Sequence, residues 1–182
     1  MHVSLNETNQ MLADSSFYLC FLEDIEQPEV LLRILRRFDF LITPIVYKEV
    51  SKCNNFGYIQ FNPKITMFPK ENLGEILKPF FGKKEIEKGE TEVIELAYEF
   101  YADGTPKKFI LDDNEPRLFV TRNLPYLLGL MIGTVGFVGE CCYEYQILEK
   151  NEAVAILLVI RTSNFRVAPE IISEVLTKIE NG

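Results

Sequence analysis

Short apolar segments of this sequence repeatedly end in acidic residues. Asp14 directly follows one such segment, and Glu49 comes just after the apolar run at residues 41–47. Asp112 and Asp113 close a third segment. An unpaired carboxylate is costly to bury, and the carboxyl ends of strands line the ligand crevice of open α/β sheets. We therefore expect these acids to meet at one edge of a parallel sheet.

Strand and helix patterns alternate along the chain, which is typical of an α/β fold with a mostly parallel central sheet. Helices on both faces of that sheet would give a three-layer α/β/α architecture. Residues 57–72 show no clear period and are predicted as a loop or a β excursion, and residues 73–81 are predicted to be helical. Ser15 and Ser16 are good N-cap residues and are predicted to start the first helix. The predicted strands are residues 11–13, 40–43, 107–111 and 127–132, and the other predicted helices are residues 17–22, 29–38, 44–50, 90–100, 115–123, 152–161 and 169–179.

Length and charge limit the class of protein. The 182 residues are predicted to form one domain, residues 1–182, with a core at 10–148 and C-terminal helices at 149–182. The net charge of −8 and the pI near 4.8 argue against non-specific binding of nucleic acid by bulk electrostatics. They do not exclude a nuclease, because bound metal cations and a local basic patch can reverse the sign of the charge at the site.

The cysteines and the histidine form no zinc-binding pattern. No CxxC spacing occurs, and His2 is the one histidine. No apolar run reaches the roughly 18–20 residues that a transmembrane helix needs, and the N-terminal residues are polar. We therefore expect a cytoplasmic protein without a membrane partner, its thiols reduced. The cysteines are Cys20, Cys53, Cys141 and Cys142.

Carboxylates gathered at one sheet edge would repel one another unless a divalent cation held them. Their hard oxygen atoms suit Mg²⁺ or Mn²⁺, which indicates metal-dependent phosphodiester hydrolysis. Asp14 would be the primary ligand, because a strand end places a side chain most rigidly. Thr91, Ser15 or Ser16 would supply hydroxyl hydrogen bonds, and Arg117 and Arg122 are the nearest candidates for a phosphate contact. Ser15 and Arg117 are therefore the predicted substrate contacts.

Five segments resemble PIN-domain proteins in the order of that family, most closely the prokaryotic branch with GExE and LDD motifs. The closing segment NFRVAPEIISEVL at 164–176 is similar to the C-terminal helix of that branch, whereas residues 1–9 and 57–72 fall outside the resemblance. The resemblance implies a PIN-like three-layer fold and a metal-dependent nuclease activity, often on RNA. The five segments are LADSS at 12–16, TPIVYKEV at 43–50, KGETEVIELA at 88–97, FILDDNEPR at 109–117 and IGTVGFV at 132–138.

The resemblance also assigns roles to the acids. Asp14 matches the first-strand aspartate of the family, and Glu49 matches the glutamate of the second segment, which could hold a second ion or act as general base. Glu90 stands where many relatives have aspartate, and Asp113 matches the acid after the fourth strand, with Asp112 beside it. The implied catalytic residues are Asp14, Glu49, Glu90 and Asp113, and the implied metal ligands are Asp14, Glu90, Asp112 and Asp113.

The partners implied by the resemblance are a single-stranded RNA substrate, an antitoxin protein and a second copy of the chain. Many relatives are toxins of toxin–antitoxin pairs, and relatives often form dimers through helices near the start of the fold. Here the apolar residues at 17–22 and 30–38 would allow a homodimer.

Ordinary structural roles are open to each of these residues taken alone. Glu90 at a helix start is favoured by the helix dipole, and Asp14 could be no more than an N-cap. Asp112 and Asp113 could cap the helix that follows them, and Arg117 could form a salt bridge to Asp113. At the level of function, the alternatives are a PIN-like RNA- or protein-binding module without turnover and a response-regulator-like domain. The latter finds no well-placed phospho-accepting aspartate or lysine in the sequence.

Overall fold

The short apolar segments form one parallel sheet in the computed structural model of the protein. Within the described residues, the sheet has five strands, all paired in parallel, with the first strand at its centre. The strands are β1 (Gln10–Ala13), β2 (Asp39–Ile42), β3 (Ile65–Met67), β4 (Lys108–Ile110) and β5 (Met131–Ile132). The described residues are 10–70, 73, 76–81 and 89–181.

The strand order β3-β2-β1-β4-β5 places a topological switch point between β1 and β4. Leu12 of β1 pairs with Leu41 on one side and with Phe109 on the other. At such a point the connections leave in opposite directions, so a crevice opens outside the carboxyl ends of the two strands. Asp14 and the Asp112–Asp113 pair follow these two strands, so the fold delivers them to the same crevice.

Helices cover the sheet and confirm the predicted three-layer α/β/α architecture. Pro28 and Pro44 each occupy the first turn of a helix, where the fixed backbone angle of proline is compatible with helix. No helix among the described residues combines the length and apolarity needed to cross a membrane. The helices are α1 (Ser15–Leu19), α2 (Pro28–Arg37), α3 (Pro44–Val50), α4 (Lys78–Phe81), α5 (Gly89–Ala102), α6 (Asn114–Asn123), α7 (Thr134–Tyr143), α8 (Lys150–Thr162) and α9 (Pro169–Asn181).

An aromatic cluster anchors the first helix to the sheet. The ring of Phe17 stacks on that of Phe40 with 5.2 Å between centroids, and it makes edge contacts with Tyr18, Phe21 and Phe137. All five side chains are fully buried. Such pairs add about 0.5–1.5 kcal/mol each beyond the burial of their apolar area. The start of α1, and with it Asp14, is therefore held rigidly against β1 and β2.

The N-cap of α1 differs from the prediction. Asp14 is the cap, because its Oδ1 accepts a hydrogen bond from the backbone N–H of Phe17 at 3.1 Å. Ser15 and Ser16 are the first two residues of the helix and do not cap it. A carboxylate is a stronger acceptor than a hydroxyl, and Asp14 lies three residues before the N–H that it caps.

The weakly periodic segments also differ in detail. Within 127–132, predicted as a strand, only Met131–Ile132 is strand, and Pro125–Leu130 is a 3-10 helix. A short apolar run satisfies either structure, so periodicity cannot separate them. The segment at 57–72 contains the edge strand β3, in line with the predicted β excursion. Of the predicted helix at 73–81, α4 covers only the last four residues, and residues 74 and 75 lie outside the described part.

Candidate active site

Asp14 lies at the centre of the site and is fully buried. Besides capping α1 through Oδ1, it accepts through Oδ2 a hydrogen bond from the backbone N–H of Asp112 at 3.0 Å. Burial raises the pKa of Asp14 well above its usual range, and the charges of Asp112 and Glu90 raise it further, although the two N–H donors oppose this. The Asp14 carboxyl therefore joins the carboxyl ends of β1 and β4 and interacts with two further acids.

Asp112 is held by the first residue of α7. Its Oδ1 accepts from the backbone N–H of Thr134 at 2.8 Å, and its Oδ2 accepts from the Thr134 hydroxyl at 2.6 Å. Burial raises the pKa of Asp112, while Thr134 and the positive charge of Arg117 pull that pKa down. Gly133 makes the approach possible, because a Cβ there would lie 3.1 Å from Asp112 Oδ1. Asp112 is thus a fixed, oriented carboxylate and not a solvated surface acid.

Glu90 and Asp113 share a hydrogen bond across the crevice between α5 and α6. Burial raises the pKa of Glu90 to about 7, with further contributions from that hydrogen bond and from the charges of Asp113 and Glu49. Asp113 occupies the N-cap position of α6, yet its side chain makes no capping hydrogen bond. Capping therefore does not account for Asp113, whose carboxyl is directed to another acid.

Glu49 projects from α3 into the same region. Its Oε2 is buried and has no hydrogen-bond partner among the described residues. Gly89 leaves it room, because a Cβ there would lie 2.9 Å from Glu49 Oε2 and 2.7 Å from Val46 Cγ2. The glycine before Glu90 thus lets the start of α5 pack closely against α3. An unpartnered buried carboxylate oxygen is costly, and it is available to accept a proton or a cation.

The two predicted substrate contacts lie at the margin of these acids. Ser15 is the half-buried first residue of α1, directly after Asp14. Arg117 donates from Nη1 to the backbone carbonyl oxygen of Leu111 at 2.6 Å. The predicted salt bridge from Arg117 to Asp113 is not among the ion pairs of the described residues. The hydrogen bond to Leu111, just after β4, instead holds the guanidinium, and its positive charge lowers the pKa of Asp112. Arg117 therefore faces the crevice from a defined position.

Two further buried acids of α5 were missed by sequence reasoning. Glu92 accepts from the backbone N–H of Ile45 at 2.8 Å, which satisfies an otherwise free donor in the first turn of α3. Burial raises the pKa of Glu92. Glu95, also buried, accepts from the backbone N–H of Ile76 at 3.0 Å. The three-residue spacing of Glu92 and Glu95 places them on one face of the helix. This spacing could have predicted that both acids have partners if that face is buried.

The site residues fit a hard divalent cation in their chemistry. Burial raises the pKa values of Asp14, Glu90 and Asp112, so a bound cation would favour their charged forms, and Glu49 has an unpartnered oxygen. Mg²⁺ and Mn²⁺ prefer such oxygen donors. As they stand, no three acids within the described ranges are grouped closely enough to hold an ion directly. Direct binding would therefore require side-chain rotation, beginning with the Glu90–Asp113 hydrogen bond.

The protein has a three-layer α/β/α fold with acids gathered at the switch point of a parallel sheet. Residues 10–181 match the family model DUF3368, described as a PIN domain, and the chain belongs to that family. The match includes residues 57–72, which the resemblance of the sequence motifs had left out. Comparisons with curated proteins and with solved structures found no match. PIN domains are generally nucleases and typically use divalent metal ions.

Proposed function

We propose that the protein is an Mg²⁺- or Mn²⁺-dependent ribonuclease that cleaves phosphodiester bonds in single-stranded RNA. The observation that carries the proposal is the convergence of Asp14, Asp112, Asp113 and Glu90 at the carboxyl edge of β1 and β4, where burial and the charges of neighbouring acids raise the pKa values of Asp14 and Glu90. Structural acids are normally paired with cations or placed in solvent. A group of interacting acids in a crevice is a functional-site signature.

The acids divide into binding and proton-handling roles. Asp14, Glu90, Asp112 and Asp113 would hold the ion, which when bound supplies Lewis-acid polarisation of the phosphate. The unpartnered Oε2 of Glu49 is the best-placed group to accept the proton of an attacking water. A Glu90 pKa of about 7 would also let this residue exchange a proton near neutral pH.

Arg117 and Ser15 would position the substrate. The contact from Arg117 to the Leu111 carbonyl uses one of the five N–H donors of the guanidinium and leaves others for a phosphate oxygen. Ser15 would place its hydroxyl beside Asp14 at the start of α1. Orientation of this kind can lower a reaction barrier without any chemistry of its own.

The proposal extends to the partners and the setting that the resemblance of the sequence motifs implies. These are an antitoxin protein, a second copy of the chain and a cytoplasmic site of action.

The test compares the wild type with Asp14→Asn on a labelled single-stranded RNA pool with Mn²⁺. The variant should lose at least about 100-fold in cleavage rate, because metal-based stabilisation of the transition state is worth several kcal/mol. The asparagine oxygen can still accept from Phe17 N–H, but its NH2 group would then face the N–H of Asp112, so thermal unfolding of the variant is measured beside cleavage to establish that the fold persists. Asp103→Asn is the matched control, because Asp103 is exposed in the turn after α5. Unchanged cleavage by Asp14→Asn would show that the site is wrongly assigned.

A binding module without turnover is the second candidate. It is favoured by the internal hydrogen bonds that already occupy Asp14 and Asp112, and by the Glu90–Asp113 contact. In that case the wild type would bind RNA equally with Mn²⁺ and with EDTA and would leave it intact.

A further inference from the structure

A cleft of about 480 Å³ opens directly beside the acids of the candidate site. Asp112, Asp113 and Arg117 line its inner end. Its outer wall is formed by the segment that leads into α9 and by α9 itself, which contribute Arg166 and Lys178. The cleft therefore joins the carboxyl edge of the sheet to a part of the chain far away in sequence.

The outer wall of the cleft carries two exposed cationic side chains. Arg166 and Lys178 are exposed, and neither forms an ion pair within the described residues. The wall also carries one acid, Glu174, which lies one helical turn before Lys178. In a chain of net charge −8, this outer wall has two cations and one acid and is therefore locally positive.

The cleft continues away from the site along α9. Lys178 also lines a second cleft of about 550 Å³, together with the exposed Tyr143. Tyr143 in turn lines a third cleft of about 770 Å³. Successive clefts with shared walls suit a polymer better than a small molecule, whose sites are usually single enclosed pockets.

We propose that the substrate strand runs from the acidic edge along α9, with Arg166 and Lys178 holding the phosphates next to the scissile one. This inference rests on the proposed function and deepens it by assigning a path for the RNA. Arg117 at the inner end would meet the scissile phosphate, and Tyr143 offers a ring on which a base can stack beyond Lys178. Arg166 and Lys178 are positioning residues, because they touch the strand away from the reacting atoms.

The experiment measures binding of a labelled single-stranded RNA by fluorescence anisotropy, on full-length Asp14→Asn so that bound RNA stays intact. Arg166→Gln with Lys178→Gln should reduce the slope of log affinity against log salt by about 1.4, at about 0.7 for each phosphate contact. At 0.1 M salt this corresponds to about 10- to 30-fold weaker binding. Glu174→Gln should act in the opposite direction and tighten binding.

The matched control is Arg36→Gln with Arg37→Gln, which removes the same charge from the exposed end of α2. If both double variants weaken binding equally, only bulk charge matters and the path along α9 is wrong. If the wild type neither binds nor cleaves the RNA, the proposed function fails and the path fails with it. In the wild-type background, the Arg166 and Lys178 changes should raise KM more than they lower kcat, which loss of structure would not do.

Discussion

Glu90→Gln should stabilise the protein at alkaline pH in the absence of metal. The Glu90 pKa is about 7 in the folded chain against an ordinary value of 4.5. The folded chain therefore keeps a proton that the unfolded chain has released, and the free energy of unfolding falls as pH rises from about 4.5 to about 7. Glutamine does not ionise, and like the protonated acid it can donate a hydrogen bond to Asp113, so the variant avoids this loss.

The size of the effect follows from the gap between the two pKa values. At 1.36 kcal/mol for each pH unit, 7 against 4.5 corresponds to about 3.4 kcal/mol. Because Glu90 is only partly buried, solvent screening reduces this to about 2 kcal/mol. For a chain of this length such a gain raises Tm by about 4–8 °C.

The assay is thermal unfolding in EDTA from pH 4.5 to 8, with Glu170→Gln as control. Glu170 also lies in the first turn of a helix but is exposed. Its substitution therefore removes the same interaction with the helix dipole as Glu90→Gln but does not change a buried carboxyl. The advantage of Glu90→Gln should be near zero at pH 4.5, grow to pH 7 and then level off. Mn²⁺ at pH 8 should stabilise the wild type and so reduce the difference in Tm between Glu90→Gln and the wild type. Equal Tm values at pH 8 in EDTA, or an advantage independent of pH, would refute the argument that Glu90 is a buried acid with a raised pKa.

Two further predictions concern other residues. Thr134→Val should lower the free energy of unfolding in urea by about 1–3 kcal/mol, because one Asp112 oxygen loses its hydroxyl donor. Thr134→Ser keeps the hydroxyl and should lower it much less. Similar losses of stability in both variants would show that the hydrogen bond to Asp112 does not account for the effect. Cys20 and Cys141 are buried, which raises the pKa of both thiols, so they should react with a thiol reagent only at the rate of unfolding. Cys142 is partly exposed and should react faster. Fast labelling of all three cysteines in native buffer would contradict this packing.

The central part of the sheet and its acids could be predicted because the determining signals are local. Asp14 directly follows a buried strand, and the Asp112–Asp113 pair comes one residue after the end of another, so these strand ends specify that the three aspartates meet. The edge strand β3 was less visible, because its three residues are largely exposed and have neither length nor alternation.

The roles of the α5 acids depended on information that is not local. Glu92 bonds to Ile45, 47 residues earlier, and only the packing of α5 against α3 brings them together. In the sequence, Glu90 and Glu92 are acids at the start of a helix, a position that the helix dipole favours without any further partner. For Asp113, the N-cap position follows from the local sequence, whereas only the resemblance to the family placed Glu90 at the same site.

The bond from Glu92 to Ile45 has a consequence for how the site can move. Glu92 sits on the helix that carries Glu90, and Ile45 sits on the helix that carries Glu49, so this bond and the close contact at Gly89 couple the two helices into one body. Asp14 and Asp112 belong instead to the sheet, to which backbone hydrogen bonds attach them. The site thus consists of two halves, Glu49 and Glu90 on the paired helices and Asp14 and Asp112 at the sheet edge, and a single distance separates them. A displacement of α5 would therefore carry Glu49 and Glu90 together relative to Asp14 and Asp112, and the acids within each half would keep their arrangement.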